Sequence, residues 1–459
     1  MSVSMLLAVV LICAAVFYVL GNRRAIGVSG GDSRQLHSRP NYYGILAALW
    51  FAIPAIAVIV VWQALQGHFL EGGIVDDLPP DVLERSADQV RLVVATIKSL
   101  AFGGIASGVE PYMLESAAGY RSAHGFSQTL MSIISLALGL LVAGTTVARI
   151  TPQTRARNGV ERIIKALLIA CASLAILTTA GIVLSMLFET INFFKTVPLS
   201  NFFFSTEWDP RFSSAGRDGG DTGQFGMIPL MVGTMYVAFV AMLVAVPIGL
   251  LAAMYLAEYA TPKFRATAKP MLEILAGIPT VVYGFFALVT VGPFLRDTGD
   301  IMGLDIDARS VMTAGIVMGI MIIPFISSLS DDVITQVPRS LREGSLGLGA
   351  TKSETIRKVI FPAALPGIVG SILLAASRAI GETMIVVMAA GVAANLSGNP
   401  FEPMTTVTVK IVNQLTGDNE FTSPQTLVAF ALGMTLFVIT LGLNIFALHI
   451  VRKYREQYD

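Results

Sequence analysis

Residues 331–365 read DDVITQVPRSLREGSLGLGATKSETIRKVIFPAAL, and their punctuation organises the rest of the chain. Pro338 suits a first helical turn, where the missing N–H is no loss, so a short helix is predicted through Leu348. Gly349 breaks it. Thr351 to Glu354 form a T-x-x-E capping box that starts a second helix, and Pro362 is expected to end it. A cap, a break and a stop in this order describe two short helices joined at a glycine, with apolar and charged faces. A plain connecting loop would need none of them.

Both flanks of this segment are strongly apolar. Of 459 residues, 54% are hydrophobic and 14% charged, against roughly 25% charged in an average soluble protein. Runs long enough to cross ~30 Å of hydrocarbon recur near 4–21, 43–65, 127–148, 163–190, 226–256, 271–295, 310–329, 364–393 and 425–450. The fold class is therefore an all-α polytopic membrane protein with about nine transmembrane helices. With the N-terminus outside, the inner segments carry 20 Lys+Arg and the outer ones 10, as the positive-inside rule requires. The C-terminus then lies in the cytoplasm, as does 330–363. The stretch 92–109 is apolar, but it carries Lys98 and three glycines. Counting it as a span would place the Arg-rich 149–165 segment outside, so it is read as an outer amphipathic or re-entrant piece.

Composition and motifs exclude several functions. Thirty-one Lys+Arg balance 31 Asp+Glu, leaving no basic field for nucleic acid. Cys13 and Cys171 both lie in apolar runs, so neither a disulfide framework nor a multi-cysteine metal site is available. No G-x-x-x-x-G-K-[ST] loop, H-E-x-x-H or G-x-S-x-G occurs, and the four histidines stand singly. An enzyme is not expected. Gly315 and Gly319 form a small-xxx-small pair suited to close helix approach, and Pro54, Pro247, Pro279 and Pro324 fall inside spans, where neighbouring helices must satisfy the freed backbone groups.

One charged pair lies inside an apolar run. SILLAASRAIGETMIVVMAAG at 371–391 puts Arg378 and Glu382 four residues apart, on one face if the helix is continuous. An arginine at mid-membrane costs on the order of 2.5–3.5 kcal/mol on insertion scales, so it should face the bundle interior and carry a role. A guanidinium stays charged and matches an oxyanion's geometry. A carboxylate beside a dianion is repulsive unless a proton lies between them. Hydrogen phosphate has that proton at neutral pH and sulfate does not. A mutually neutralised structural pair is the alternative.

Glu343-Gly344-Ser345, Gly349, Val359, Phe361 and Pro362 keep the spacing of the E-A-A-x-x-x-G…I-x-L-P loop of ABC importer permeases, with both alanines, the isoleucine and the leucine replaced. The segment R-A-I-G-E-T at 378–383 resembles R-A-x-G-E-T of phosphate-specific ABC importer permeases. FFFSTEWDP at 202–210, FGMIPLMVGT at 225–234, VPIGLLAAMYLAEYA at 246–260 and GIPTVVYGFFAL at 277–288 are similar to the PstC type. The resemblance covers roughly 195–459.

It implies a permease domain at 191–459, of about five spans with the coupling loop 330–363. Residues 1–190 would be an N-terminal membrane extension of about four spans, with an outer segment near 66–126. Glu343, Gly349 and Pro362 would belong to the element that couples to a separate ATPase subunit, and Arg378 and Glu382 to the path of phosphate. It further implies a PstA-type permease partner, ATP-binding subunits holding ATP and Mg, a periplasmic phosphate-binding protein, and a place in the bacterial inner membrane. No cofactor is expected on this chain. An ABC permease for sulfate or molybdate, and a proton-coupled secondary phosphate transporter, stay open on the residues alone. So does a non-transporting scaffold.

Overall fold

The computed structural model describes residues 2–76, 78–83, 87–104, 109–210, 224–417 and 423–454. Among them eight helices are long and apolar enough to cross a membrane, or nine if one bent pair is a single span. The chain divides into two units, 1–176 and 177–459, with the boundary inside the helix Ala156–Thr196.

In the first unit, Val3–Val28, Pro40–Asp76 and Pro111–Ala148 pack around Leu6, Val10, Phe51, Ala55 and Met131. The stretch 92–109 forms no spanning helix within its described residues. Its helix, Ala87–Ala101, runs only 15 residues and buries Val93, Val94 and Ile97 against Ile74 and Met113. Residues 77, 84–86 and 105–108 of the outer segment lie outside the described residues.

The second unit is built on the pair Ile228–Met254 and Val311–Gln336. Gly315 and Gly319 lie where these helices meet: a Cβ on Gly315 would fall 2.5 Å from Val240 Cγ1, and one on Gly319 2.9 Å from the Ala241 carbonyl oxygen. The small-residue pair thus sets the close approach. Gly233 is tighter, since a Cβ there would stand 2.1 Å from the carbonyl oxygen of Thr405. Backbone cannot swing aside as a side chain can. Gly233→Ala is therefore expected to destabilise by ~1–3 kcal/mol or more, read as a lower midpoint in thermal unfolding of the purified protein, whereas Gly344→Ala, in open space within the helix Arg339–Gly347, does not lower it.

Three expectations are corrected. The run 271–295 is not one straight helix: Pro262–Ala276 and Thr280–Met302 meet at 84°, broken at Gly277-Ile278-Pro279. Pro279 has no N–H to continue the helix and disfavours helical backbone at Ile278. Likewise 364–393 is not one helix. It ends at Ile380, with Gly381 as its cap, and a short helix restarts at Met384. Pro362, finally, does not stop the second loop helix, which runs on from Lys352 to Ile380. A wide π turn at Ile356–Ile360 precedes the proline, and the N–H of Phe361 donates to the carbonyl of Ile356 five residues back. That shift of register takes up the hydrogen bond and the space Pro362 would otherwise disrupt.

Candidate functional site

The loop after Gln336 folds as its residues dictate. Arg339–Gly347 is a helix with Pro338 before it and Leu348 as its C-cap. Gly349 sits at φ +87°, where a side chain would be strained. Glu354 N–H donates to Thr351 Oγ1 at 3.3 Å, and Thr351 N–H to Glu354 Oε2 at 2.9 Å, completing the capping box. The hydroxyls of Ser345 and Thr355 hydrogen-bond at 2.9 Å and tie the two helices together.

The outer surface of this element is unusual. Glu343 and Gly349 are exposed, and Leu346 and Leu348 are 49% and 91% exposed. Two bare leucines at a turn beside a carboxylate leave apolar area uncovered by this chain, as a docking face does.

Its inner side is held by charges. Arg342 Nε donates to Glu258 Oε1 at 3.0 Å, with the two side chains 19% and 10% exposed. Its other nitrogens donate to the carbonyls of Val337 and, at 2.7 Å, Ile334. Nearby in sequence, Asp331 is 1% exposed and accepts from Arg265 at 3.0 Å and Lys269 at 2.8 Å, and Lys269 also reaches Asp332 at 2.7 Å. The helix Pro262–Ala276 is thereby clamped to the end of Val311–Gln336. None of Glu258, Arg265, Lys269, Asp331 or Arg342 was singled out from sequence. The one available signal was charge at the inner ends of apolar runs.

Arg378 and Glu382 are not on one helical face. Arg378 lies in the last turn of Phe361–Ile380, and Glu382 falls beyond Gly381 in the break. No ion pair joins them, and among the described residues no carboxylate is within ion-pairing distance of Arg378. The guanidinium is exposed and lies over the Phe325 ring, 5.6 Å from its centroid, a cation–π arrangement. Glu382 Oε1 accepts from Met384 N–H at 3.1 Å, and its carbonyl accepts from Thr408 Oγ1 at 2.9 Å. Two residues on, Lys410 Nζ donates to the Val392 carbonyl at 2.9 Å. Burial pulls this ammonium below the ordinary lysine range, and among the described residues it has no carboxylate partner. Sequence reading passed over Lys410 as a single outer-loop charge. Arg378 at the break is thus a cation without a described carboxylate partner, which can receive an anion.

Residues 245–456 match a sequence profile described as the binding-protein-dependent transport system inner membrane component, and residues 7–178 one described as a phosphate ATP-binding cassette transporter. The phosphate transport system permease protein PstC of Haemophilus influenzae is 32% identical over 312 residues, 65% of this chain and 95% of that one. The chain belongs to the PstC family of phosphate transport permeases. PstC of Mesorhizobium japonicum is 33% identical over 59% of this chain and 84% of its own. The probable ABC transporter permease YqgH of Bacillus subtilis is 32% identical with the same coverage. As a PstC-family protein, this chain is a multi-span inner-membrane permease subunit of a phosphate importer, and not an enzyme.

Proposed function

We propose that Arg378 is the phosphate ligand of the translocation path and that the Glu343 to Gly349 turn couples it to ATP hydrolysis on separate subunits. The observation that carries this reading is the Arg378 guanidinium: at the end of a membrane helix, exposed, and unpaired with any described carboxylate. An arginine in hydrocarbon is ordinarily neutralised by a partner. One left open, resting on an aromatic face, is poised for a mobile anion. Glu382 engages one oxygen with Met384 N–H, and its other oxygen can take the proton of hydrogen phosphate. Sulfate offers none.

The chain would sit in the inner membrane with its N-terminus outside and C-terminus inside. It would pair with a PstA-type permease, receive phosphate from a periplasmic binding protein, and seat Leu346 and Leu348 against an ATP-binding subunit that holds the ATP and Mg. Closure of those subunits would move the turn, and through it the helices that end at Arg378. The expected test result is phosphate uptake at low external phosphate that is lost in cells lacking the chain, restored with it, and resistant to excess sulfate. Uptake abolished by sulfate would overturn the substrate; uptake that survives ATP depletion would overturn the coupling. A reporter fused to the C-terminus is expected to be reached by a membrane-impermeant reagent only after the cells are opened.

A further inference from the structure

In the first unit, Val3–Val28 and Pro111–Ala148 end, and Pro40–Asp76 and Ala156–Thr196 begin, at two short connections. These are tied together. The His37 N–H donates to the Pro152 carbonyl at 2.9 Å, the Tyr43 hydroxyl to the Thr154 carbonyl at 2.9 Å, and the Arg157 N–H to Ser38 Oγ at 3.2 Å. Beneath them Leu36, Tyr43, Ile150 and Ala156 share one buried cluster. The result is one face rich in charge. Residues 22–42 and 149–165 hold eight arginines and Lys165 against two acids, Asp32 and Glu161, and all nine cations are exposed.

Among the described residues, Arg157 alone of the nine has a carboxylate partner, Glu161 at 2.6 Å. Helix ends elsewhere in the chain are different: Arg265, Lys269 and Arg342 of the second unit each meet a carboxylate. The positive-inside rule explains the side on which cations lie, but Asp and Glu contribute little to orientation. Acids could stand among these arginines at no cost to topology, yet few do. Nor do the helices gain. Arg39 directly precedes Pro40–Asp76, and Arg155 and Arg157 flank the start of Ala156–Thr196, with no acid in either first turn. A cation at a helix N-terminus opposes the macrodipole. The like charges repel one another, and an anion from outside the chain would relieve them.

Depth selects the anion. Arg23, Arg24, Arg39, Arg149 and Arg162 stand no more than four residues beyond the edge of an apolar run. At 1.5 Å per residue that is ~6 Å, within a headgroup layer ~5–8 Å deep on each side of the hydrocarbon. A soluble acidic protein or a nucleic acid would have to reach through the headgroups to meet them. A lipid phosphate is already at that level.

We infer that this face docks the headgroup phosphates of anionic glycerophospholipids in the leaflet it meets, the inner one in the orientation proposed above. A phosphodiester accepts two hydrogen bonds from one guanidinium fork, and juxtamembrane clusters of four to eight cations suit anionic lipid. Zwitterionic lipid carries its own ammonium and leaves the repulsion in place.

The test uses the full chain with its partner subunits in phosphatidylcholine vesicles. These are doped, equally in both leaflets, with phosphatidylglycerol carrying a photoactivatable group near the headgroup, or with phosphatidylcholine carrying the same group. With the probe in both leaflets, the result depends neither on orientation nor on the phosphate path. Labelling of 29–40 and 149–157 is expected to be at least ~10-fold greater from the anionic probe. Arg39→Gln and Arg149→Gln should each lower it about 5-fold, the effect of one charge near an anionic surface. Both side chains are exposed and unpaired among the described residues, so the variants should fold, read as an unchanged elution volume of the assembled complex. Equal labelling by the two probes, or labelling unchanged in both variants, overturns the proposal. So does displacement of the anionic probe by inorganic phosphate at constant ionic strength, which would make the face a site for the free anion. Protection of the face by a partner subunit overturns it as well.

Discussion

Phosphate uptake at low external concentration is expected to fall by ~100-fold on Arg378→Gln, the effect of losing charge-assisted hydrogen bonds together worth ~3 kcal/mol. The glutamine is shorter and keeps a hydrogen-bonding amide but not the charge. Because Arg378 is exposed and pairs with no described carboxylate, its removal leaves no orphaned buried acid, so protein level and ATP hydrolysis should hold. Arg378→Lys should recover part of the uptake, since a point charge attracts the anion without the bidentate fork. Wild-type uptake in Arg378→Gln would return the residue to a structural role over Phe325. Glu382→Gln divides two roles of its neighbour. The amide oxygen can still accept from Met384 N–H, so the start of that short helix survives. If Glu382 only caps, uptake is unchanged; if it meets the proton of hydrogen phosphate, uptake falls and discrimination against sulfate weakens.

The apolar runs, the capping box at Thr351 and Glu354 and the glycine break at Gly349 were legible because each is written in local sequence: composition, a three-residue spacing, a residue free to adopt positive φ. What escaped has equally physical causes. Hydropathy averages over about 19 residues, so it cannot see a break made by Gly277-Ile278-Pro279 inside an unbroken apolar window. Four-residue spacing places two side chains together only if the helix continues, and Gly381 ends it between Arg378 and Glu382. Pro362 reads as a stop unless a π turn precedes it, and nothing in I-R-K-V-I announces one. Arg342 and Glu258 are 84 residues apart, and periodicity carries no information about which distant charges meet.

That distant pair sets the second large effect. Arg342 spends all three nitrogens on three points: Glu258 at the end of one central helix, and the carbonyls of Ile334 and Val337 at the end of the other. It is a side-chain strut between the exposed turn and both helices of the central pair, so on the proposed coupling a push on Leu346 and Leu348 would reach the membrane through it. Removing one partner of a largely buried ion pair costs ~3–5 kcal/mol, mostly for the charge left behind. Arg342→Ala is therefore expected to cut phosphate uptake at least ~10-fold while the ATPase subunits, reconstituted with the chain in liposomes, keep hydrolysing ATP. The diagnostic is the ratio of phosphate moved to ATP split, which a merely less abundant permease would not change. Glu258→Ala should behave alike. Arg342→Lys should rescue only in part, because an ammonium lacks the planar fork that serves Glu258 and two carbonyls at once. The exchange Arg342→Glu with Glu258→Arg should restore little, since it returns the ion pair and leaves both carbonyls without a donor. Full recovery in that exchange would reduce the strut to a simple charge pair, and an unchanged transport ratio in Arg342→Ala would remove it from the coupling path.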